Sequence, residues 1–340
     1  MDIADTILDT IGNTPLVRLH RVKGTVGAEI LAKIEYFSPS GSVKDRILRR
    51  IVEEAERSGQ LKPGMILIEA TTGNAGISTA MIAAVKGYEV VICMPSGMSE
   101  ERKKTIRAYG ATIIETPGGE SDVDLVMKKV HDVMAKAPGR YWEVGQFTNS
   151  NNWQAHYRTT GPELWRQTEG KVDAFIAPQG TGGTVTGVAK YFREQKAHTK
   201  IYAIEPAECP LLTRSQWGSH KIEGIGDGFI PETLDVSLLD GVVTTTSKEA
   251  IAMAQRLARE EGIFCGISSG CSVAGALKLA RRHPEFRRIV TVIWDNGLRY
   301  FSTELCGEQK QLDSPERDHP MDARTQALLE KYRRRWEVIA

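Results

Sequence analysis

Beyond residue 46 the chain alternates two hydropathy patterns. ILRRIVEEAERSG (47–59) sets Ile47, Ile51 and Ala55 on one face among charged residues and closes on a glycine, which predicts an amphipathic helix. MILIEA (65–70) predicts a strand, followed by a glycine-bearing turn, a helix in ISTAMIAAVKG and a second strand in YEVVICMP (88–95). ERKKTIRAYG, ATIIETPGG, a further helix over DVDLVMKKVHDVMAKA and YWEVG extend the alternation. Helices interleaved with short strands predict a parallel sheet covered on both faces.

The polar, asparagine-rich stretch 146–163 breaks this rhythm and reads as a crossing between domains. A second series follows: a helix at ELWRQTEG, the strand DAFIAP (173–178), a glycine loop, the helix VTGVAKYFREQK and the strand KIYAIEP (200–206). Helices in KEAIAMAQRLAREEG and SVAGALKLARRHP and the strand RRIVTVIW (287–294) complete it. The predicted fold class is α/β, with two lobes of parallel-rich sheets covered by helices and a cleft between them. The expected boundaries are a smaller mobile domain over 47–150, a larger domain formed by 1–46 and 151–310, and an extension over 311–340 that carries a helix. In that extension Leu328, Tyr332 and Trp336 recur at helical spacing with Leu329 beside them. Such a stripe suits either the large lobe or a second subunit.

Composition narrows the class of partner. At 41% hydrophobic and 26% charged, 340 residues can bury a large core. The formal charge of +1, from 44 basic and 43 acidic residues, supplies no global field for nucleic acid or an anionic membrane. The start, MDIADTILDTIGNTPLVRL, lacks the basic region and apolar segment of a secretory signal, and no apolar run reaches membrane-span length. A cytoplasmic location is expected. Cys93, Cys209, Cys265, Cys271 and Cys306 are scattered and odd in number, which favours reduced thiols filling space over a disulfide framework or a metal site.

Two glycine loops carry the candidate chemistry. The first, Glu69-Ala70-Thr71-Thr72-Gly73-Asn74-Ala75-Gly76, joins a strand to a helix, so small residues let the backbone approach a ligand while the helix start offers N–H groups to an anion. The same residues also serve as a plain helix turn. The second, Gly180-Thr181-Gly182-Gly183-Thr184, has the glycines and hydroxyls of a phosphate cradle at the carboxyl end of a parallel strand. A dinucleotide reading would use Gly180, Gly182 and a ribose contact from Glu205, but Val185 stands where the third glycine belongs. A P-loop fails for want of the Lys-Ser/Thr ending. Lys44, in Pro39-Ser40-Gly41-Ser42-Val43-Lys44-Asp45-Arg46, suits a solvated or ion-paired lysine when taken alone. Beside two ligand-shaped loops it supplies the amine that pyridoxal phosphate needs for its aldehyde.

Together these motifs resemble the cysteine synthase and cystathionine β-synthase family, pyridoxal phosphate enzymes of the second fold type. The resemblance runs from Ile11-Gly12-Asn13-Thr14-Pro15-Leu16 to Tyr300-Phe301-Ser302-Thr303 and leaves out the tail. It implies that Lys44 holds the cofactor as a Schiff base and moves the proton at the substrate Cα. It further implies that Asn74 faces the cofactor's ring oxygen, that Gly180, Thr181, Gly182, Gly183 and Thr184 hold its phosphate, and that Ser268, in Gly266-Ile267-Ser268-Ser269-Gly270, faces the pyridine nitrogen. Thr71, Thr72, Asn74 and Gln146 would close on the substrate carboxylate. A homodimer and contact with a serine-acetylating enzyme are implied as well. Deletion of residues 318–340 is expected to weaken the dimer if the tail contributes to it.

Three departures bear on the substrate. The family's usual Thr-Ser-Gly-Asn-Thr-Gly is Thr71-Thr72-Gly73-Asn74-Ala75-Gly76 here, so Ala75 lacks a hydroxyl. Asp227, in Gly224-Ile225-Gly226-Asp227-Gly228-Phe229-Ile230-Pro231, replaces a small residue; pointing into the cleft, it would disfavour a phosphate leaving group and attract a cationic second substrate. Trp294-Asp295-Asn296-Gly297 replaces a Pro-Ser stretch. The leading expectation is O-acetylserine plus sulfide giving cysteine. The alternatives are a cystathionine-type or other β-substituted alanine synthase using O-phosphoserine or serine with a larger thiol or amine, and a noncatalytic cofactor-binding regulator.

Overall fold

A computed structural model describes residues 3–119, 122–307 and 321–340. Its strands are β1 (Leu16–Leu19), β2 (Glu29–Ile34), β3 (Ile66–Ala70), β4 (Val90–Pro95), β5 (Thr112–Thr116), β6 (Tyr141–Glu143), β7 (Ala174–Pro178), β8 (Lys200–Pro206), β9 (Gly241–Thr245), β10 (Arg288–Ile293) and β11 (Glu337–Ile339). The helices are α1 (Lys44–Arg57), α2 (Asn74–Lys86), α3 (Glu100–Ala108), α4 (Val123–Lys136), α5 (Asn151–Arg158), α6 (Thr160–Thr168), α7 (Gly183–Glu194), α8 (Leu211–Arg214), α9 (Ser247–Glu261), α10 (Ile267–Arg282) and α11 (Ala323–Tyr332).

Two sheets result, one per lobe. The smaller runs β5-β4-β3-β6 with every pair parallel. The larger runs β1-β2-β10-β7-β8-β9-β11, parallel except for the antiparallel β1–β2 pair. Strands β3, β7 and β9 are buried along their whole length, as expected where helices cover both faces. Helix α1 buries Ile47, Leu48, Ile51, Val52 and Ala55, at roughly 1.5–3 kcal/mol for each fully buried Ile, Leu or Val.

The stretch 146–163, read from sequence as a crossing, contains α5 and the start of α6. No apolar face announced α5 because its buried face is polar: Asn152 and His156 are turned inward beside Ala155. The tail differs as well. Its helix ends at Tyr332, and Trp336 lies beyond a short turn of 3-10 helix. Leu329 and Trp336 join the apolar cluster around Phe175, Leu211 and Leu234, while β11 pairs with β9, so the stripe covers the large lobe of its own chain. Residues 311–320 of the expected extension lie outside the described residues.

A buried ionic cluster fixes the start of α1. Arg46 binds Glu35 at 2.6 Å and Glu163 at 2.7 Å, and Lys33 binds Glu163 at 2.6 Å. Burial opposes ionisation of Glu163, but Arg46 and Lys33 outweigh it and bring its carboxyl down to about 2. The helix that begins at Lys44 is thereby tied to β2 and α6.

Candidate active site

A cleft opens where β3, β7 and β10 end, the position expected for a ligand in parallel α/β sheets. Lys44 enters it from the first turn of α1. Its neighbours hold it there: Lys44 N–H donates to Ser42 Oγ at 3.3 Å, and buried Asp45 accepts from Ser40 N–H at 2.8 Å and Ser78 Oγ at 2.5 Å.

The loop after β3 supplies Thr71, Thr72, Asn74 and Ala75 to the same cleft. Gly73 has φ +152°, and a Cβ there would lie 2.1 Å from Arg102 Cδ, so glycine is required by both backbone and space. The Asn74 amide is held at both ends. Its Nδ2 donates to Asp295 Oδ2 at 2.6 Å, and its Oδ1 accepts from Arg299. Tyr300 donates to the same Asp295 oxygen at 2.8 Å. Gln146, also on the cleft wall, donates from Nε2 to the Ala70 carbonyl at 3.0 Å.

Gly180, Thr181, Gly182 and Thr184 line the cleft after β7. A Cβ at Gly180 would lie 2.4 Å from the Gly224 carbonyl oxygen. At Gly183 a Cβ would meet Asn152 Oδ1 at 1.9 Å, so the glycine lets the start of α7 approach α5 closely. The first turn of α7 leaves backbone N–H groups without helical acceptors at this point, which suits an anion. His156, which sequence reasoning missed, sits behind this loop with Nε2 3.1 Å from Thr184 Oγ1 and Nδ1 2.9 Å from Thr160 Oγ1. Burial, followed by the charges of Arg46 and Lys44, pushes its ring well below the usual histidine range and keeps it neutral.

Ser268 lies in the first turn of α10 and lines the cleft. Trp294 stands beside it, with its backbone N–H donating to Ser269 Oγ at 2.9 Å and its indole N–H to Ser272 Oγ at 2.7 Å. On the opposite wall are Asp227, buried, and Glu223, which forms an ion pair with Arg102 of α3. Neither Arg102 nor Glu223 was singled out from sequence: Arg102 sits in the charge-rich run Glu100-Glu101-Arg102-Lys103-Lys104, which reads as a solvated face, and Glu223 is a single carboxylate before a glycine-rich stretch. Glu205 is absent from the cleft: it accepts from Leu212 N–H at 2.6 Å and Thr213 N–H at 3.0 Å, capping α8. The ribose role that a dinucleotide would need is therefore already occupied by a structural one.

The residues fit pyridoxal phosphate, with an amine for its aldehyde and, across the cleft, a cradle of glycine and threonine in which added side chains would clash. Residues 7–295 match the model of the pyridoxal-phosphate dependent enzyme family, and the chain belongs to that family, in its cysteine synthase and cystathionine β-synthase-like branch. It is a β-replacement enzyme of the cysteine-synthase-like kind. Cysteine synthase 3 of Caenorhabditis elegans is 48% identical over 303 residues, covering 88% of this chain and 89% of that protein. A Staphylococcus aureus cysteine synthase is 43% identical over 302 residues, covering 88% and 96%. The crystal structure of an O-ureido-L-serine synthase matches with a TM-score of 0.84 at 39% identity, covering 92% of this chain and 98% of that one.

Proposed function

We propose that the enzyme converts O-acetylserine and sulfide to cysteine, using pyridoxal phosphate held by Lys44, Asn74, Ser268 and the Gly180–Thr184 loop. The convergence of Lys44, the two loops and Ser268 on one cleft carries this reading. When bound, the cofactor supplies an electron sink for the substrate's Cα–H bond. Lys44 then acts as the base at Cα, within the range of about 10²–10⁴ that a positioned base contributes. Thr71, Thr72 and Gln146 bind and orient the carboxylate, and closure of the first loop excludes water from the reacting carbons.

The charges on the cleft wall support an acetyl rather than a phosphate leaving group. Arg102 is the guanidinium nearest to such a role, and Glu223 neutralises it, while Asp227 adds a further carboxylate. A dianionic phosphate would be repelled there. Asp227 also favours a second reading, in which a larger amine or amino-acid thiol brings a cationic group to that wall. The proposal includes a cytoplasmic homodimer and, following the family resemblance, contact with a serine-acetylating enzyme.

The test is product mass. The protein is incubated with O-acetylserine, O-phosphoserine or serine, each with sulfide or homocysteine. Cysteine from O-acetylserine is the expected product; exclusive formation of cystathionine would overturn the assignment.

A further inference from the structure

The cleft wall that carries Gly224, Ile225 and Asp227 continues to Ile230, and both main-chain polar groups of Ile230 are bonded to the C-terminal helix. Ile230 N–H donates to Thr325 Oγ1 at 3.1 Å, and the Ile230 carbonyl accepts from the Arg324 guanidinium. Arg324 also reaches the Pro231 carbonyl at 3.4 Å. Thr325 has no exposed surface and is itself oriented by Asp322, whose Oδ2 accepts from the threonine hydroxyl at 2.6 Å. The hydroxyl thus points its hydrogen at Asp322 and its lone pairs at Ile230.

The inner side of the same wall rests on the ligand loops. Gly226 N–H donates to the Gln179 carbonyl at 3.2 Å, and Glu232 N–H to the Phe147 carbonyl at 3.0 Å. Thr233 Oγ1 donates to the Thr181 carbonyl at 2.5 Å. Phe229 packs against Phe147 with ring centroids 5.4 Å apart, next to Gln146. The wall is consequently clamped between the cleft and the tail, and Thr325 is the buried polar contact on the outer side.

We propose that Thr325 is a positioning residue for substrate binding: through Ile230 it sets the placement of the wall bearing Gly224, Ile225 and Asp227. The tail lies outside residues 7–295 matched by the family model, so this role is additional to the cofactor site. Loss of the hydroxyl leaves Ile230 N–H buried without its acceptor, a change that is relieved most simply by movement of the wall.

Thr325→Val keeps the side-chain shape and removes the hydroxyl, and Thr325→Ser restores it. Kinetics use the donor identified by the product-mass assay, so an error in the O-acetylserine assignment leaves this test intact. The expected result for Thr325→Val is a KM raised about fivefold, the equivalent of one lost hydrogen bond, with kcat within about twofold and bound cofactor unchanged. Amide exchange over 224–231, followed by mass spectrometry, should accelerate in the same variant, and Thr325→Ser should return both readouts toward the parent. An unchanged KM, or a joint loss of kcat and cofactor that serine fails to rescue, would overturn the proposal.

Discussion

Arg102 and Glu223 form an ion pair across the cleft, from α3 in the small lobe to the wall of the large one, with the arginine stacked 4.6 Å from the centroid of the Tyr300 ring. The arginine also lies directly under Gly73, so the pair connects the loop proposed to bind substrate to the opposite lobe. Glu223→Gln should release the guanidinium toward the cleft. The ratio of kcat/KM for O-phosphoserine over O-acetylserine is expected to rise about tenfold, corresponding to about 1.4 kcal/mol of discrimination. Paired kinetics with the two donors check this; an unchanged ratio would show that the pair does not govern leaving-group charge.

Lys44→Ala removes the amine proposed to hold the cofactor and move the Cα proton. Turnover should fall by about 10²–10⁴. After borohydride reduction, the parent's cofactor should be found on the peptide containing Lys44 and the variant's on no peptide. Adduct at another lysine of the parent would refute the assignment.

Asp295 holds the Asn74 amide in one orientation at 2.6 Å. Asp295→Ala should leave that amide held only by Arg299 and should weaken cofactor binding about fivefold, the value of one hydrogen bond. The measurement is a cofactor absorbance titration of the apoprotein. Equal affinity in parent and variant would restrict Asp295 to its contact with Tyr300.

Burial, reinforced by the Glu143 carboxylate, pushes the Glu69 carboxyl up to about 8 from an ordinary 4.5. The folded chain therefore holds an extra proton between these values, so this group makes stability fall as pH rises through the window, with its full penalty above pH 8. Glu69→Gln retains an oxygen for Gly145 N–H, which Glu69 now accepts at 2.8 Å. The variant's Tm should exceed the parent's above pH 8 and approach it near pH 5, the gap opening as the parent carboxyl ionises. Parallel Tm profiles across that range would refute the assignment.

Much of the fold was legible because a strand buried on both faces, such as β7, reads as an uninterrupted apolar run beside amphipathic helices, and β3 does so up to Glu69. Strand β2 was hidden because Lys33 lies within it and is paired with Glu163 in the interior, so a buried position looked like a surface one. Helix α5 was hidden for the same reason, since Asn152 and His156 face inward to polar partners. Lys44, Asn74 and Ser268 became legible only as an ordered set of motifs. Arg102 and Glu223 are far apart in sequence, and their pairing follows from how the lobes meet.

The order of the strands also sets an order of synthesis. β3 to β6 lie in one continuous stretch, so the small sheet can be completed while the ribosome is still translating. β2 must wait for β10, and Arg288 bonds to Glu29 across 259 residues of chain. β2 can pair with β1 as soon as both emerge, but its other edge therefore stays open for most of translation, and β11 joins β9 only once residues 337–339 have emerged. Nascent chains stalled before residue 288 should present a finished small lobe and an open strand edge to holding chaperones, a burden that the emergence of β10 removes.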